Sequence, residues 1–331
     1  MSAALRRALP VARWHFQHGP IDCVIGAEGD AQAVAAALEA AWARFEGALA
    51  ELVAELPLLR ANLAQGRCRF ATAEGLARVG PGLRWDDLHG AAPRGRIAQR
   101  MVDACLPYAR QDQFITAMAA VAGSVAQELI GHFDRPGVRR AFVNNGGDIA
   151  LHLAPGASFD IGLVIDPRHA DHGLDGQFCV DAASSVRGIA TSGWRGRSLS
   201  LGIADSVTVL AATAAQADAA ATLIANAVNV EDPRIGRAPA HTLRDDSDLG
   251  DLLATIEVPV LAAAQVARAL AAGVDFAQHE IAAGRIVAAA LCLQGQVRHC
   301  EAQVFHPTQL AAASPILAFA QRASRATFAG A

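Results

Sequence analysis

The chain contains no lysine, and all 28 of its basic residues are arginines. Without a lysine amine there can be no Schiff base, which excludes lysine-linked pyridoxal enzymes and lysine-dependent aldolases. An ordinary Walker A nucleotidase is excluded as well, because its phosphate loop requires a lysine. Chemistry in this protein must therefore rest on arginine, histidine, carboxylates, hydroxyls, thiols and backbone amides.

Several common catalytic and metal-binding motifs are absent too. The six cysteines are scattered and never form Cys-x-x-Cys, which argues against a zinc or iron–sulfur framework. The sequence has no Gly-x-Ser-x-Gly elbow, no His-Glu-x-x-His, and no Gly-x-Gly-x-x-Gly after a predicted strand. Hydrolase, zinc-protease and Rossmann dinucleotide-binding functions therefore have no support from motifs.

Long apolar runs and charge of one sign are also missing. No apolar run approaches the roughly 20 residues of a membrane-spanning helix, and the first 14 residues lack the apolar core of a signal peptide. The 28 basic and 32 acidic residues are spread along the chain and give a formal net charge of −4. We therefore expect a cytoplasmic protein that binds neither nucleic acid nor membrane.

The chain does contain enough apolar residues to build a large core. The chain has 331 residues, of which 53% are hydrophobic, and this length fits one large domain or two lobes. Hydrophobic periodicity and turn residues predict a mixture of helices and strands. The predicted helices cover about Asp30–Val53, Ile97–Arg110, Phe114–Phe133, Gln216–Val228 and Val260–Ala272. The predicted strands cover about Trp14–Ala27, Phe159–Ile165, Gly176–Asp181 and Ser206–Ala211, with a strand–turn–strand unit over Val138–Leu153, and a last helix or strand pair follows Ala272.

Two segments have amino-acid compositions that would suit the binding of a ligand. The stretch from Met118 to Gln127 is rich in Ala, Gly and Ser, so another backbone or a flat ligand can approach it closely; tight helix–sheet packing is the other interpretation. Asn145-Gly-Gly-Asp148 is typical of a hairpin turn, or of a loop that presents backbone amides to an anion.

A third segment brings together hard oxygen ligands. Asp218 and Thr222 are four residues apart in a predicted helix, so both lie on one face that is otherwise lined by alanine. Such oxygens suit Mg²⁺ or Ca²⁺. Alternatively, Asp218 simply favours the helix dipole and Thr222 bonds back to the preceding turn.

Two further features are weaker signals. Thr191, Ser192 and Gly193 offer hydroxyls and amides at the end of a predicted strand, which is also ordinary turn chemistry. His169 and His172 have the spacing of a metal pair, but they have no clear third ligand.

Taken in order, these motifs resemble the ApbE family of FAD:protein FMN transferases. The matching runs are Asn145-Gly-Gly-Asp-Ile149, Gly188-Ile-Ala-Thr-Ser-Gly193, Ser206-Val-Thr-Val209 and Ala217-Asp-Ala-Ala-Ala-Thr222. The chain is similar above all to an uncharacterised ApbE-like sister family, in which Met-Ala-Ala-Val-Ala-Gly precedes the Asn-Gly-Gly-Asp motif. A second pattern of that sister family is present as Gly196-Arg-Ser-Leu-Ser-Leu-Gly-Ile-Ala-Asp205.

The resemblance implies an α+β fold of ApbE-like mixed sheets with flanking helices, and a site for FAD or FMN. It implies a single domain over residues 1–331, divisible into a scaffold of about residues 1–115 and a motif-bearing part of about residues 116–331. It further implies that Asp218 and Thr222 hold Mg²⁺ beside the nucleotide pyrophosphate. The implied flavin-binding residues are Met118, Ala119, Asn145, Gly146, Gly147, Asp148, Thr191, Ser192 and Gly193.

The chain also departs from the family at the positions that would carry catalysis. It has no intact His-x-x-Asp-Pro-Arg-Thr-Gly segment, and Arg197 stands where the sister family commonly has a histidine. Arginine cannot act as a base at neutral pH, although it can bind a phosphate or a carboxylate. The catalytic residues are therefore undefined, with Arg197, Asp205 and His152 as candidates.

Three functions fit these observations. The first is an enzyme that uses FAD and Mg²⁺, with transfer of FMN to a Ser or Thr of a protein partner as its possible reaction. The second is a flavin-dependent reductase of a nitrogen heteroaromatic ring, which would take electrons from a separate redox partner because the chain has no iron–sulfur cysteines. The third is a flavin or nucleotide carrier without catalysis. The apolar composition makes a homodimer reasonable in each case.

Overall fold

A computed structural model describes residues 3–64, 68–72, 75–79, 93–163 and 176–302. Its fold is α+β, as the sequence predicts. The helices are α1 (Ala31–Ala54), α2 (Leu56–Leu59), α3 (Arg96–Ala109), α4 (Val121–Ile130), α5 (Ala214–Ala227), α6 (Ala240–Leu243) and α7 (Ala263–Ala282). The strands are β1 (Leu5–Leu9), β2 (Arg13–His18), β3 (Ile21–Gly29), β4 (Cys68–Thr72), β5 (Gly75–Val79), β6 (Val138–Asn145), β7 (Asp148–Leu153), β8 (Ser158–Leu163), β9 (Gly176–Asp181), β10 (Gly188–Ser192), β11 (Ser206–Ala211), β12 (Gly236–Pro239), β13 (Leu253–Glu257), β14 (Ala288–Leu293) and β15 (Gln296–Glu301).

Nine strands form one sheet in the order β1-β2-β3-β6-β7-β10-β11-β14-β15. Each neighbouring pair in it is antiparallel. The chain leaves the sheet after β3 to form the first helices and returns as β6, and it leaves again after β11 to form α5 and α7. The strand pairs β4–β5, β8–β9 and β12–β13 stand apart from this sheet.

The two faces of the sheet bury different partners, because successive side chains of a strand point to opposite sides. In β7, Ala150 joins the large core beneath the helices, whereas Leu151 and Leu153 join a smaller apolar cluster with Phe178 and Val180 of β9. The helices therefore cover one face, and the β8–β9 pair covers part of the other.

Helix α1 shows why the predicted helices form where they do. Asp30 caps its start, since the carboxylate accepts hydrogen bonds from the amides of Gln32 (3.0 Å) and Ala33 (2.9 Å). Its buried residues recur at helical spacing and include Phe45, which is fully buried against Phe16 of β2. Truncating such a ring to alanine costs about 3–5 kcal/mol.

Several element boundaries differ from the predictions. The single strand predicted around Trp14–Ala27 is wrong: it is the hairpin of β2 and β3, which turns at Gly19, where φ is +56°. The predicted helix Phe114–Phe133 is shorter, because α4 lies between the 3₁₀ turns Ala117–Ala120 and Gly131–Phe133. The strand-pair alternative is confirmed for the C-terminal part of the sheet, as β14 and β15.

Helix α7 is also longer than predicted. It runs through Gly273 to Ala282 instead of ending near Ala272. A Cβ atom at Gly273 would lie closer than 3.0 Å to the side chains of Val228 and Leu291. This glycine therefore permits close packing of α7 on the core and does not end the helix.

Four connections between neighbouring strands lie at one end of the sheet. The β2–β3 turn, the β6–β7 turn, the β10–β11 loop and the β14–β15 turn all lie there, because Cys23 pairs with Asn145, Asn145 with Asp148, and Ser206 with Cys292. The ApbE-like motifs fall on these connections and on α4 and α5.

The described helices include none with both the length and the apolar character needed to cross a membrane.

Candidate functional site

The Asn-Gly-Gly-Asp motif forms the tight turn between β6 and β7. Gly146 and Gly147 have φ angles of +70° and +115°, which residues with side chains rarely adopt. The side-chain oxygen of Asn144 accepts a hydrogen bond from the Gly147 amide at 2.8 Å. The turn places Asp148 at the first position of β7, at the end of the sheet that carries the motifs.

Asn145 connects this turn to two other elements. Its Oδ1 accepts a hydrogen bond from the Asp22 amide of β3 (3.3 Å), and its Nδ2 donates to the Ala122 carbonyl of α4 (3.2 Å). The side chain is buried, so both bonds are shielded from water. Asn145 therefore positions the start of α4 over the turn.

Helices α4 and α5 meet at Gly123. A Cβ atom there would lie closer than 3.0 Å to the Ala214 carbonyl group and to Cβ of Asp218. The Gly123 amide donates a hydrogen bond to Oδ2 of Asp218 at 2.9 Å. The small residues of Met118–Gln127 thus serve the tight packing that the sequence left open, and at the same time they hold a carboxylate in place.

The polar residues of α5 lie on one face of the helix. Asp218 and Thr222 are half-buried, whereas the alanines that surround them in sequence are buried in the core. One turn further on, Asn226 accepts a hydrogen bond from the Leu201 amide (2.9 Å) and so fixes the β10–β11 loop. The predicted oxygen ligands therefore share a helix face with the residue that holds that loop.

Asp148 and Asp218 form a pair of interacting carboxylates between the β6–β7 turn, the end of β10 and helices α4 and α5, a region that we call the cleft. Both keep partial contact with solvent, although protein atoms surround them on almost every side. Burial raises the pKa of Asp148 to about 7, against the hydrogen bond from the Thr191 amide and the nearby Arg197 guanidinium, which lower it. Burial and the charge of Asp148 raise the pKa of Asp218 well above its ordinary value. Two such groups favour a shared proton or a cation.

Arg197 is an exposed residue of the β10–β11 loop that lies against the β6–β7 turn. Its guanidinium lies against Gly146, where a Cβ atom would collide with it. Its backbone carbonyl accepts a hydrogen bond from Arg244, which follows α6. The glycine of the turn therefore makes room for a positive charge beside Asp148.

Asp205 holds the base of the same loop. Its Oδ1 accepts hydrogen bonds from Trp194 Nε1 (3.1 Å) and Arg195 Nε (2.8 Å), and its Oδ2 accepts one from the Gln294 amide. With both oxygens engaged by its own loop and the β14–β15 turn, this catalytic candidate has a positioning role in the structure.

The run Thr191–Gly193 lies where β10 ends, next to Asp148. The Thr191 amide donates to Asp148, and the Thr191 hydroxyl lies 2.9 Å from that of Thr208 on β11. Gly193 is buried, and a Cβ atom there would meet the Asp205 carbonyl at 2.5 Å. Ser192 is half-buried beside them.

Met118 and Ala119 lie in the 3₁₀ turn that precedes α4, and both are half-buried. Thr116 begins this turn and donates a hydrogen bond from its hydroxyl to Asp248. Met118 and Ala119 thus lie directly before α4 in the chain, next to the hydrogen bond between Thr116 and Asp248, which the sequence did not predict.

Two groups of sequence candidates stand apart from the cleft. His152 is four residues beyond Asp148 on β7, about 13 Å along the strand, and its ring contacts Val138 and Asp134. His169 and His172 lie outside the described residues. Within the described ranges, no three or more His, Cys, Asp or Glu side chains group together as metal ligands.

The pairing of Asp148 with Asp218 is the feature that sequence reasoning missed. The two residues are 70 positions apart, and each was assigned a separate role. The available signal was that both residues lie in motifs of the family resemblance, Asn145–Ile149 and Ala217–Thr222.

Comparison with known proteins places the chain in a family. A family model described as "AbpE bacteria" matches residues 5–299. A UPF0280 protein of Methanopyrus kandleri is 36% identical over 157 residues, which cover 47% of this chain and 59% of that protein. A UPF0280 protein of Methanothermobacter thermautotrophicus is 41% identical over 127 residues, which cover 35% of this chain and 43% of that protein. The chain thus spans less than two thirds of the length of these relatives.

Among solved structures, the apo crystal structure of the Pseudomonas stutzeri flavinyl transferase ApbE is a weak match. It is 14% identical, with a TM-score of 0.34, over 95% of this chain and 99% of that chain. The family model, by contrast, covers most of the sequence and includes every motif described above. The resemblance drawn from those motifs is confirmed: the chain belongs to the ApbE-like family described as "AbpE bacteria".

Proposed function

We propose that the cleft binds a flavin nucleotide, FAD or FMN, together with Mg²⁺. The observation that carries this proposal is the pair of deep, half-buried carboxylates, Asp148 and Asp218. In the absence of a cation each disfavours ionisation of the other, so a divalent ion beside them would relieve an unfavourable arrangement. Membership of an ApbE-like family and the surrounding motifs support a nucleotide as the ligand.

The residues present fit Mg²⁺. Asp218 and Thr222 offer a carboxylate and a hydroxyl from one helix face, with Asp148 nearby. Mg²⁺ prefers oxygen ligands and commonly binds through one or two carboxylates, water and the phosphates of its substrate. A site with few protein ligands therefore fits an ion that arrives with a nucleotide. When bound, Mg²⁺ would neutralise part of the pyrophosphate charge.

The surroundings of Asp148 also fit an anion. Arg197 presents a permanent positive charge at the Gly146–Gly147 turn. The hydroxyls of Thr191 and Ser192 lie at the end of β10, next to Asp148, and would hold phosphate oxygens. Together, the carboxylates and the arginine suit a ligand whose phosphates lie between a cation and a guanidinium.

The flavin ring would lie against the 3₁₀ turn that precedes α4. Met118 and Ala119 are apolar, half-buried and next to the start of α4. A flat aromatic ring gains from burial against such side chains.

Transfer of FMN to a protein hydroxyl is the reaction that this arrangement would support. The hydroxyl oxygen would form a bond to the FMN phosphorus, the pyrophosphate bond would break, AMP would leave, and the hydroxyl would lose its proton. Arg197 would stabilise charge on the phosphate oxygens, but it cannot accept that proton. His152 lies too far along β7 to do so. Binding is therefore the primary proposal, and transfer is tested separately.

The test is a titration of FAD into the purified protein, followed by quenching of flavin fluorescence, with Mg²⁺ or with EDTA. Asp218→Asn should weaken FAD binding in Mg²⁺ by at least about tenfold, as expected when a metal ligand is lost. Arg197→Ala should weaken binding in both conditions. Asp103→Asn, an exposed carboxylate on α3, is the matched control and should bind as the wild type does.

Two outcomes would decide against the proposal. If Mg²⁺ changes FAD affinity equally in the wild type and in Asp218→Asn, the metal assignment is wrong. If neither FAD nor FMN binds the wild type in Mg²⁺, the cleft is not a flavin site. Release of AMP from FAD in the presence of a hydroxyl acceptor would support transfer, whereas binding without AMP release would support a carrier.

A further inference from the structure

A concentration of positive charge lies where α1, α3 and the end of α4 meet. It consists of four arginines and one histidine, and we call it the arginine cluster: Arg44, Arg96, Arg100, His132 and Arg135. Glu128 is buried near the end of α4 and accepts hydrogen bonds from Arg44 of α1 (2.8 Å) and from Arg100 of α3. These two bonds bring side chains of three helices together at a place that the cleft does not include.

Arg96 belongs to the arginine cluster through the geometry of α3. Arg96 and Arg100 are four residues apart and therefore lie on one face of the helix. Glu51 links this face to α1, because its carboxylate binds Arg44 at 2.8 Å and accepts a hydrogen bond from the Ile97 amide at 3.4 Å. Two like charges at this spacing repel each other, and the dipole at the start of α3 disfavours a cation as well.

Arg135 joins the arginine cluster from the segment that follows α4. The 3₁₀ turn Gly131–Phe133 contacts both α1 and α4, and Nε of Arg135 donates a hydrogen bond to the His132 carbonyl at 2.8 Å. Burial lowers the pKa of His132, and so do the charges of three cluster arginines, of which Arg135 has the largest effect. The imidazole therefore lies in a positively charged environment.

The arginine cluster carries more positive charge than its carboxylates offset. Two carboxylates bind its four arginines, so two guanidinium charges stay unbalanced. Within the described ranges, neither Arg96 nor Arg135 forms an ion pair, and the neighbouring Asp134 lies against His152 instead (3.7 Å). Because the cluster is partly buried, the surrounding protein screens this repulsion less than water would. A bound anion would relieve it.

We propose that the arginine cluster binds a phosphate group, either as inorganic phosphate or as the phosphate ester of a small molecule. A phosphate group carries about two negative charges at neutral pH, which matches the two unbalanced guanidinium charges. A guanidinium can donate two parallel N–H bonds to phosphate oxygens, so arginine suits this ligand. Arg96 and Arg135 would hold the phosphate. Arg44 and Arg100 would remain bound to Glu128 and add to the positive field.

The test is a calorimetric titration of inorganic phosphate into the whole chain, in EDTA and at constant ionic strength. Arg197→Ala is the background for every titration, because Arg197 beside the cleft is itself a candidate anion ligand. One phosphate should bind, and Arg96→Ala and Arg135→Ala should each raise its dissociation constant by at least about tenfold. Arg110→Ala is the matched control, since Arg110 is an exposed arginine at the other end of α3, and it should leave the constant unchanged.

A second measurement does not depend on how the arginine variants fold. Saturating phosphate should raise the pKa of His132, followed by NMR of the histidine ring protons, because a bound anion offsets the charges of the neighbouring arginines. The charges that act on this imidazole belong to Arg44, Arg96 and Arg135, and arginine does not titrate near neutral pH. The His132 signal is identified by its absence from the spectrum of His132→Gln.

Methyl phosphate distinguishes the two sources of the ligand. Equal affinity for methyl phosphate and inorganic phosphate would support an ester as the ligand, and a clear preference for inorganic phosphate would support the free anion. The absence of phosphate binding would overturn the proposal, as would binding that Arg96→Ala and Arg135→Ala leave unchanged, or a pKa of His132 that phosphate does not move. None of these results depends on whether the cleft binds a flavin.

Discussion

At the scale of single residues, the cleft contains ionisable groups that oppose folding in the absence of a ligand. Asp148 has an ordinary pKa of 3.8 that rises to about 7 in the folded protein, because burial disfavours its charged form. Below the ordinary pKa the group is protonated in both the folded and the unfolded state. As the pH rises from about 4 to 7, the unfolded chain loses the proton first, so folding becomes less favourable.

Asp148→Asn should therefore stabilise the protein without Mg²⁺, and more so at high pH. In EDTA we expect a gain of about 1–2 kcal/mol at pH 8 and a smaller one at pH 5; the figure allows for the partial exposure of the carboxylate. The measurement is urea unfolding followed by circular dichroism at both pH values. Asp103→Asn serves as the control for charge removal alone. A variant that is less stable than the wild type at pH 8 would show that the ionised carboxylate contributes to folding.

The buried carboxylate of Asp148 is thus expected to lower the free energy of unfolding of the metal-free protein. Residues arranged for binding commonly reduce stability, because selection retains them for function. The same substitution that stabilises the metal-free protein should weaken Mg²⁺-dependent FAD binding. A gain in stability with unchanged binding would separate Asp148 from the ligand and leave Asp218 and Thr222 as the cation site.

At the scale of elements, the local signals were sufficient where one segment determines its own structure. Asp30 and the apolar spacing that follows it predicted α1, and Asn-Gly-Gly predicted the β6–β7 turn. Local signals failed where packing decided the outcome. Gly273 is typical of a position just after a helix, yet α7 continues through it. The glycine is needed because the side chains of Val228 and Leu291 occupy the space that a Cβ atom would take.

The packing of α4 against α5 can be tested by substituting two glycines of α4, Gly123 within the helix and Gly131 at its end. Gly123→Ala gains up to about 1 kcal/mol of helix propensity. It also places a methyl group against the Ala214 carbonyl and Cβ of Asp218, and overpacking of this kind costs about 1–3 kcal/mol. Because backbone atoms of α5 form the obstacle, we expect a net loss of stability and weaker FAD binding, since Asp218 accepts its hydrogen bond from Gly123.

Gly131→Ala is the matched control for this substitution. Gly131 caps the other end of α4 with right-handed helical angles, and a Cβ atom there meets nothing within 4 Å. It should be neutral, or stabilising by about 0.4–1 kcal/mol. Thermal unfolding of both variants checks the contrast. Equal stability of the two would mean that α4 and α5 can separate at no cost, and that their contact does not fix Asp218.

At the scale of the whole molecule, the sequence carried little information about which strands are neighbours. The motifs around Met118–Asn229 contain β6, β7, β10 and β11, and the resemblance implied a single domain divisible into a scaffold of about residues 1–115 and a motif-bearing part. In the structure β3 pairs with β6 along the full length of the latter. Such long-range pairing depends on tertiary contacts that no local pattern records.

The two parts of the chain are further joined by buried charge. Glu128 of α4 is buried and accepts hydrogen bonds from Arg44 of α1 (2.8 Å) and from Arg100 of α3. Arg44 also binds Glu51 at 2.8 Å. A buried carboxylate that loses its partners is strongly destabilising, by about 3–5 kcal/mol. Division of the chain near residue 115 would leave Glu128 without these arginines.

We therefore expect the parts of the chain before and after residue 115 to unfold as one cooperative unit, and residues 116–331 alone to lack a fixed structure. The shorter fragment would expose the β6 edge, remove Asp22 from Asn145 and leave Glu128 unpaired in a core that α1 no longer covers. Coincident transitions in circular dichroism and tryptophan fluorescence would support the first expectation. Binding of a hydrophobic dye by the fragment, reversed by added residues 1–115, would support the second. A fragment that unfolds cooperatively and binds FAD in Mg²⁺ would show instead that the motif-bearing part is an independent domain.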